Sequence, residues 1–180
     1  LTQLKLKLPS IGGKDSMSGT FKDLSVPPTL VSFAVNVIDD VNKIVSAEFK
    51  QPDNFVVLLE LPFDENELPA FNQLNQNYTA LYQLMQNQQI LSARSIRSGG
   101  IAAAISEMAL GNMLGFDFDP AFIDSGLSDS SFINSAFINS TFSDSFPQAT
   151  ALFSPLYGSI LLEVGKEQNV ESLFQGLPYQ

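Results

Sequence analysis

The sequence predicts an α+β fold, a mixed β-sheet packed by helices. Segments 29–38 (TLVSFAVNVI), 55–61 (FVVLLEL) and 159–164 (SILLEV) are short apolar runs rich in β-branched residues, each bounded by Pro, Gly or Asp, as buried strands are. Between the second and third, Phe71, Leu74, Tyr78, Leu81 and Met85 recur at the spacing of three and four that lines one face of a helix. A shorter apolar stripe, Ile101, Ile105 and Met108, predicts a second helix.

In chain order, residues 8–20 (LPSIGGKDSMSGT) are dominated by Gly, Ser and Pro and predict a loop. Pro27 and Pro28 bar a helix before the strand at 29–38, which Asp39 and Asp40 end. Pro62 closes the strand at 55–61. The first amphipathic helix is expected from about 69 to 89, with an outer face of uncharged Asn and Gln. A break is expected over 92–98, then a helix over about 100–110, N-capped by Ser98 and stopped at Gly111 and Asn112. A last helix is expected to begin in 169–174. Residues 131–145 (SFINSAFINSTFSDS) repeat with a period of five, placing Phe132, Phe137 and Phe142 in register. Three copies are too few for a stacked solenoid, so the segment reads as a Ser/Phe-rich insertion at about 124–149 rather than a repeat fold.

Composition removes several functions. The 180 residues carry nine basic and nineteen acidic side chains, a formal charge of -10, which opposes binding to a nucleic-acid backbone. Six of the basic residues, Lys5, Lys7, Lys14, Lys22, Lys43 and Lys50, lie in the first fifty positions. There is no Cys and no His, hence no disulfide, no zinc site of the Cys/His kind, no thiolate nucleophile and no imidazole base. A metal would have to be a hard, oxygen-liganded ion. No apolar run reaches a membrane span and the first residues lack signal-peptide architecture, so no membrane partner is expected and the cytoplasm is the default location. The start at Leu1 and the end after a Gly-Leu-Pro turn read as those of an excised fragment.

Two places could hold an anion. Gly12, Gly13, Lys14, Asp15 and Ser16 combine paired glycines, whose backbone N–H groups can approach a phosphate, with a cation. The spacing is not that of a P-loop, because Leu8 stands where that motif needs its first Gly and Asp15 where it needs Ser or Thr. A tight turn with an exposed Lys accounts for the segment equally well. In the second place, the chain's two arginines, Arg94 and Arg97, with Ser95 and Ser98, precede Gly99 and Gly100 at the expected start of a helix. The helix dipole, free N–H groups and guanidinium groups all favour an anion there; the plain alternative is a capped helix with two surface arginines. Asp117 and Asp119 should share one side of a short strand, a pair that reads better as a solvated edge than as a magnesium site. No residue is assigned a catalytic or metal-binding role.

The run GGKDSMSGTF followed by DLSVPPTLVSFAV resembles a junction in phosphoribosylformylglycinamidine synthase (formylglycinamide ribonucleotide amidotransferase). There a Gly-Lys-Asp-Ser-Met loop leads into the C-terminal subdomain of the second aminoimidazole-ribonucleotide-synthetase-like half. DNFVVLLEL, SGGIAAAISEMALGNMLGFDFD and GSILLEV are similar to later parts of that subdomain, so the likeness spans most of 11–164 outside the Ser-rich tract. The resemblance implies a division into a junction loop, 1–20, and a synthetase C-terminal-like domain, 21–180. It implies a fold like the C-terminal domain of aminoimidazole ribonucleotide synthetase. It also implies a part of an ATP- and magnesium-dependent, glutamine-using ligase of purine biosynthesis, structural or auxiliary in anion or nucleotide binding and inactive alone. The partners would be the N-terminal synthetase subdomain, the catalytic half and the glutaminase, with self-association open to the isolated fragment.

One departure bears on the site. Long-chain members of the family read His-Asp-Arg-Ser-Asp-Gly-Gly before this helix, the first Asp binding magnesium and the Ser contacting nucleotide. Here Ser95 stands at the first Asp, Arg97 at the Ser and Ser98 at the second Asp. A neutral hydroxyl is a poor substitute for a carboxylate on magnesium, so this copy is expected to bind an anion directly or nothing, with no cofactor assigned to the fragment itself. Two other readings stand beside it: a subdomain of a related enzyme of the selenophosphate synthetase or thiamine phosphate kinase type, and a non-enzymatic interaction module built on the period-five tract.

Overall fold

A computed structural model describes residues 1–8, 19–27, 33, 35–66, 68–119 and 152–180. The loop Gly12 to Ser16, most of the expected strand at 29–38 and the Ser/Phe-rich insertion lie outside these residues. The chain divides into two compact units, residues 1–41 and 42–180.

In the first unit, α1 (Thr2–Leu6) buries no side chain and ends at Lys7 in the left-handed region. Strands β1 (Gly19–Phe21) and β2 (Leu24–Val26) form a hairpin with Thr20 opposite Ser25. Lys22, in its two-residue turn, has a φ of 52°, which matches the twist such hairpins require. The strand expected at 29–38 is corrected where the chain is described: 33 and 35–38 form no strand, and Phe33 and Val35 are 90% and 98% exposed. Apolar patterning records that a segment favours burial, but a strand also needs a pairing edge, and no described segment offers one to these residues.

The second unit is built on a three-stranded sheet of order β3 (Phe55–Leu59), β5 (Ile160–Val164), β4 (Ser92–Ser95), every pairing antiparallel. Pro178–Gln180 extends it beyond β3, where Leu58 and Gln180 exchange N–H to carbonyl bonds of 2.8 and 2.9 Å. Ser46 makes one isolated parallel bridge to Ser92 beyond β4, outside the three strands. Helices α2 (Phe71–Gln86), α3 (Gly100–Asn112) and the short α4 (Val170–Leu173) complete an α+β architecture. Alternate residues of β3 and β5 feed two cores. Val57, Leu59, Ile160 and Leu162 pack with Leu81, Leu84 and Phe174 on one side. Leu58 and Leu161 pack with Ile101, Ile105 and Met108 on the other. All five residues of β5 are buried, four of them apolar, as suits a strand covered on both faces.

Several expectations are corrected in detail. The segment 92–98 is not simply a break, since Ser92–Ser95 is a strand. Its inward residue, Ser92, is fully buried yet polar, so no apolar alternation marks it. On α2 the inward stripe is rotated from the expected one. Asn77 is buried and Tyr78 is 43% exposed. The Asn77 amide donates to the Glu60 carbonyl at 2.6 Å and accepts from Gln73 at 2.8 Å, which makes its burial affordable, whereas Tyr78 keeps its hydroxyl outward, 3.4 Å from the Gly158 carbonyl.

Helix α3 runs through Gly111 and Asn112 and stops at Met113, which takes the left-handed conformation. Gly111 therefore serves packing rather than termination: a Cβ there would lie 2.3 Å from the Glu48 Cβ. The adjacent Asn112 amide donates to the Phe49 carbonyl at 2.8 Å, which clamps the same segment. Gly111→Ala is expected to force this segment off the helix and cost about 1–3 kcal/mol, despite alanine's better helix propensity. Urea unfolding of the two proteins measures the difference.

Candidate functional site

Strand β4 delivers Arg94 and Ser95 to the edge of the second unit, buried Ile96 anchors the chain, and Arg97 and Ser98 emerge exposed before α3. The turn depends on its glycines. Gly99, with a φ of 89°, is the N-cap and makes no side-chain capping bond, and Gly100 has a φ of 65°. The expected cap is thus displaced from Ser98, whose hydroxyl lies 3.3 Å from that of Tyr157. Two consecutive left-handed residues are open to glycine and strained for others.

Among the described candidates, the two arginines are not aimed at one point. The Arg94 guanidinium pairs with Glu107 on the flank of α3. Arg97 is exposed on the turn. Residues Leu152–Ser154 lie against the helix start so closely that a Cβ on Gly100 would be 2.3 Å from the Leu152 carbonyl oxygen. That carbonyl accepts the Ala102 N–H at 2.9 Å, and the Gly100 N–H is held by the Arg97 carbonyl at 3.0 Å. Backbone oxygens therefore take donors that the sequence reading left for an anion. Gly12, Gly13, Lys14, Asp15 and Ser16 lie outside the described residues. The donor set at 94–98, two guanidinium groups and two hydroxyls, does not fit a magnesium ion, which prefers carboxylate oxygens.

A second polar centre escapes sequence reading. Glu163 of β5 is 1% exposed, and its carboxylate accepts from the Lys50 N–H at 2.8 and 3.0 Å, the Gln51 N–H at 3.2 Å, the Asn54 amide at 2.7 Å and the Ser92 hydroxyl at 2.8 Å. The central strand thereby holds the 50–54 loop and β4 together through one buried anion. The only hint in the sequence is an acid inside an apolar strand, SILLEV. The Lys50 ammonium turns away from it to Ser46 and Glu48.

Beside Glu163 opens a groove of about 810 Å³, bounded by the 51–55 loop, the α3 residues Ile101 and Ile105, and the segment 114–119. This last segment forms no strand, contrary to expectation, and Asp117 and Asp119 are exposed at the groove's rim. The strand reading fails because Gly115 interrupts the run and no pairing edge meets it among the described residues. No described group of three or more acidic side chains is arranged to hold a metal ion. No described helix is long and apolar enough to cross a membrane.

Two carboxyls are displaced from their usual range. The Lys50 ammonium and the Ser46 hydroxyl lower Glu48 from 4.5 to about 2. The resulting stability is present above 4.5 and is lost as pH falls toward 2. Burial raises Glu60 above 4.5, the opposite sign: its contribution is complete below 4.5 and is lost as pH rises through the raised value. Glu60→Gln should therefore flatten the decline in stability from pH 4.5 toward neutrality and leave the variant at least as stable as the parent at pH 7, read from melting temperatures across that range.

No family model matches the chain. The chain is similar to the phosphoribosylformylglycinamidine synthase subunit PurL of Thermoplasma volcanium, 28% identical over 129 residues, which is 64% of this chain and 17% of that protein. The subunit of the same name from Helicobacter hepaticus is 31% identical over 126 residues, 59% of this chain and 17% of the relative. That of Pelagibacter ubique is 27% identical over 123 residues, 58% and 17%. These matches support a PurL-like relationship for a chain that spans 17% of the length of these relatives.

Proposed function

We propose that this chain is a part of a phosphoribosylformylglycinamidine synthase. The whole enzyme converts formylglycinamide ribonucleotide, glutamine and ATP to formylglycinamidine ribonucleotide in purine biosynthesis, with magnesium as its ion. The observation that carries the reading is the similarity to PurL subunits over about 60% of the chain, in relatives of which it spans 17%. Within that enzyme we place it as the C-terminal subdomain of the second synthetase-like half, with 1–20 as the junction and 21–180 as the domain. Its role is structural or auxiliary, without catalytic residues of its own. The partners are the N-terminal synthetase subdomain, the catalytic half and the glutaminase, and a cytoplasmic location follows. Exposed Leu4, Phe33, Val35 and Val37 of the first unit support a chain that continues into further protein.

Any anion site on this chain is free of metal. At the 94–100 turn the exposed Arg97 supplies the cation, while Arg94 is committed to Glu107; Lys14 would supply that of a separate site at Gly12 to Ser16. The test uses the intact polypeptide from the full reading frame. Glutamine-dependent ligase activity should be found there and be absent from the 180-residue chain. Calorimetry of nucleotide binding to the intact protein, with and without magnesium, should show no magnesium-dependent step that Arg97→Ala removes. Turnover by the isolated chain, or a magnesium-dependent step lost in that variant, would overturn the proposal.

A further inference from the structure

Helix α2 lies in a stretch without charge. Residues 68–93 contain no Asp, Glu, Lys or Arg, in a chain in which 16% of residues are charged. The helix buries one side through Leu81, Leu84 and the hydrogen-bonded Asn77. Its opposite side carries Asn72, Asn75, Gln76, Thr79, Tyr82 and Gln83, all of them exposed, Tyr82 by 57%. A helix facing water ordinarily gains from acids in its first turn, bases in its last and ion pairs one turn apart. Neither end of α2 carries such a charge, and the stretch has none to form a pair. The helix thus gives up local stability and keeps this face neutral. Depletion of charge around an exposed Tyr is the composition of the centre of a protein interface.

We propose that the outer face of α2 is the interface of an isologous dimer, seating the same face of a second copy of this chain. The occupant follows from self-complementarity. In a two-fold contact each surface group meets the same surface on its partner. The six side chains named above are amides and hydroxyls, which both donate and accept hydrogen bonds and so can pair with their own kind. Carboxylates or ammonium groups in their place would meet like charge. With a formal charge of -10, two copies repel each other, and an uncharged face is where that repulsion is least. A strongly charged partner would gain nothing from such a face. The helix has 16 residues and is about 24 Å long, so the contact belongs with small reversible interfaces, under about 1,200 Å². The inference stands apart from the ligase reading, since it rests on α2 alone.

The experiment is sedimentation equilibrium of the full chain. The parent should show a reversible monomer–dimer equilibrium with a dissociation constant of about 0.1–1 mM. Raising the salt from about 0.05 M to about 0.5 M should tighten it about threefold, because salt screens the repulsion between two acidic chains. Thr79 lies midway along the exposed stripe, so a two-fold axis through the face brings its two copies together. Thr79→Glu and Thr79→Lys should each weaken the dimer at least about tenfold and keep the melting temperature, since both new residues favour helix at an exposed position. An equimolar mixture of the two variants should regain the parent's association, the mark of a face that meets itself. Val35→Asp, on the exposed apolar part of the first unit, should leave the association unchanged. A parent that stays monomeric at about ten times the expected constant, a Thr79→Glu variant that associates like the parent, a mixture that stays monomeric, or association abolished by Val35→Asp would overturn the proposal. So would amide shifts on α2 that appear on adding separately made ligase domains and not on raising the chain's own concentration, since the face would then be covered within the larger enzyme.

Discussion

Glu163→Ala should lower the unfolding free energy by about 3–5 kcal/mol, the largest effect expected of any single side-chain truncation here. Two backbone N–H groups, an amide and a hydroxyl converge on this one carboxylate, at 2.7 to 3.2 Å. Truncation removes a buried charge and leaves its donors facing an apolar strand. The donors on the 50–54 loop can regain water through the adjoining groove, which limits their loss, but Ser92 is fully buried in the sheet and cannot. Glu163→Gln separates charge from volume. It keeps the shape and one acceptor oxygen, but turns an NH2 group toward donors, so about 2 kcal/mol should be lost. Urea unfolding gives both values. Amide exchange supplies the local signature, because the Lys50 and Gln51 N–H groups should exchange faster in each variant while those of α2 fall only with global stability. Two variants within about 0.5 kcal/mol of the parent would show that the donors find other partners without cost.

The same residue shows where sequence reading reaches its limit. Strand β3, helix α2 and strand β5 are visible in the sequence because most of their buried positions are apolar, in short runs for the strands and at helical spacing for α2. Strand β4 is not, because its inward residue is Ser92, and Ser92 is inward because Glu163 needs its hydroxyl. Burial of one polar group thus conceals a second. Asn77 repeats the lesson on α2, where a buried amide serving the Glu60 carbonyl rotates the stripe away from Tyr78. The segment at 33–38 fails in the other direction: its apolar residues are real, but a pairing edge is not local information. At the candidate site, the glycine pair and the start of α3 follow from the local sequence, since left-handed backbone selects glycine. What lies over them does not. The segment Leu152–Ser154 is far from the helix start in sequence, and the Leu152 carbonyl competes for a donor that made the turn look like an anion site.

Gly100→Ala tests that arrangement, with an expected loss of about 3–4 kcal/mol. Two costs combine. A φ of 65° strains any residue with a Cβ, by about 1–2 kcal/mol. The added methyl would also meet three backbone atoms, the Leu152 oxygen at 2.3 Å, the Phe153 carbonyl carbon at 2.6 Å and the Ser154 oxygen at 2.7 Å. No side chain can swing aside to relieve these contacts, so the 152–154 turn must leave the helix, and the Ala102 N–H loses its 2.9 Å bond. Gly176→Ala isolates the first cost, because its φ is 78° and nothing lies within 4 Å of the added Cβ. That variant should lose only the backbone term, about 1–2 kcal/mol. A difference of at least about 1 kcal/mol between the two in urea unfolding measures the hold of residues 152–154 on the N-terminus of α3. Equal losses would mean that the segment detaches freely, and that the first turn of α3 is open to ligands after all.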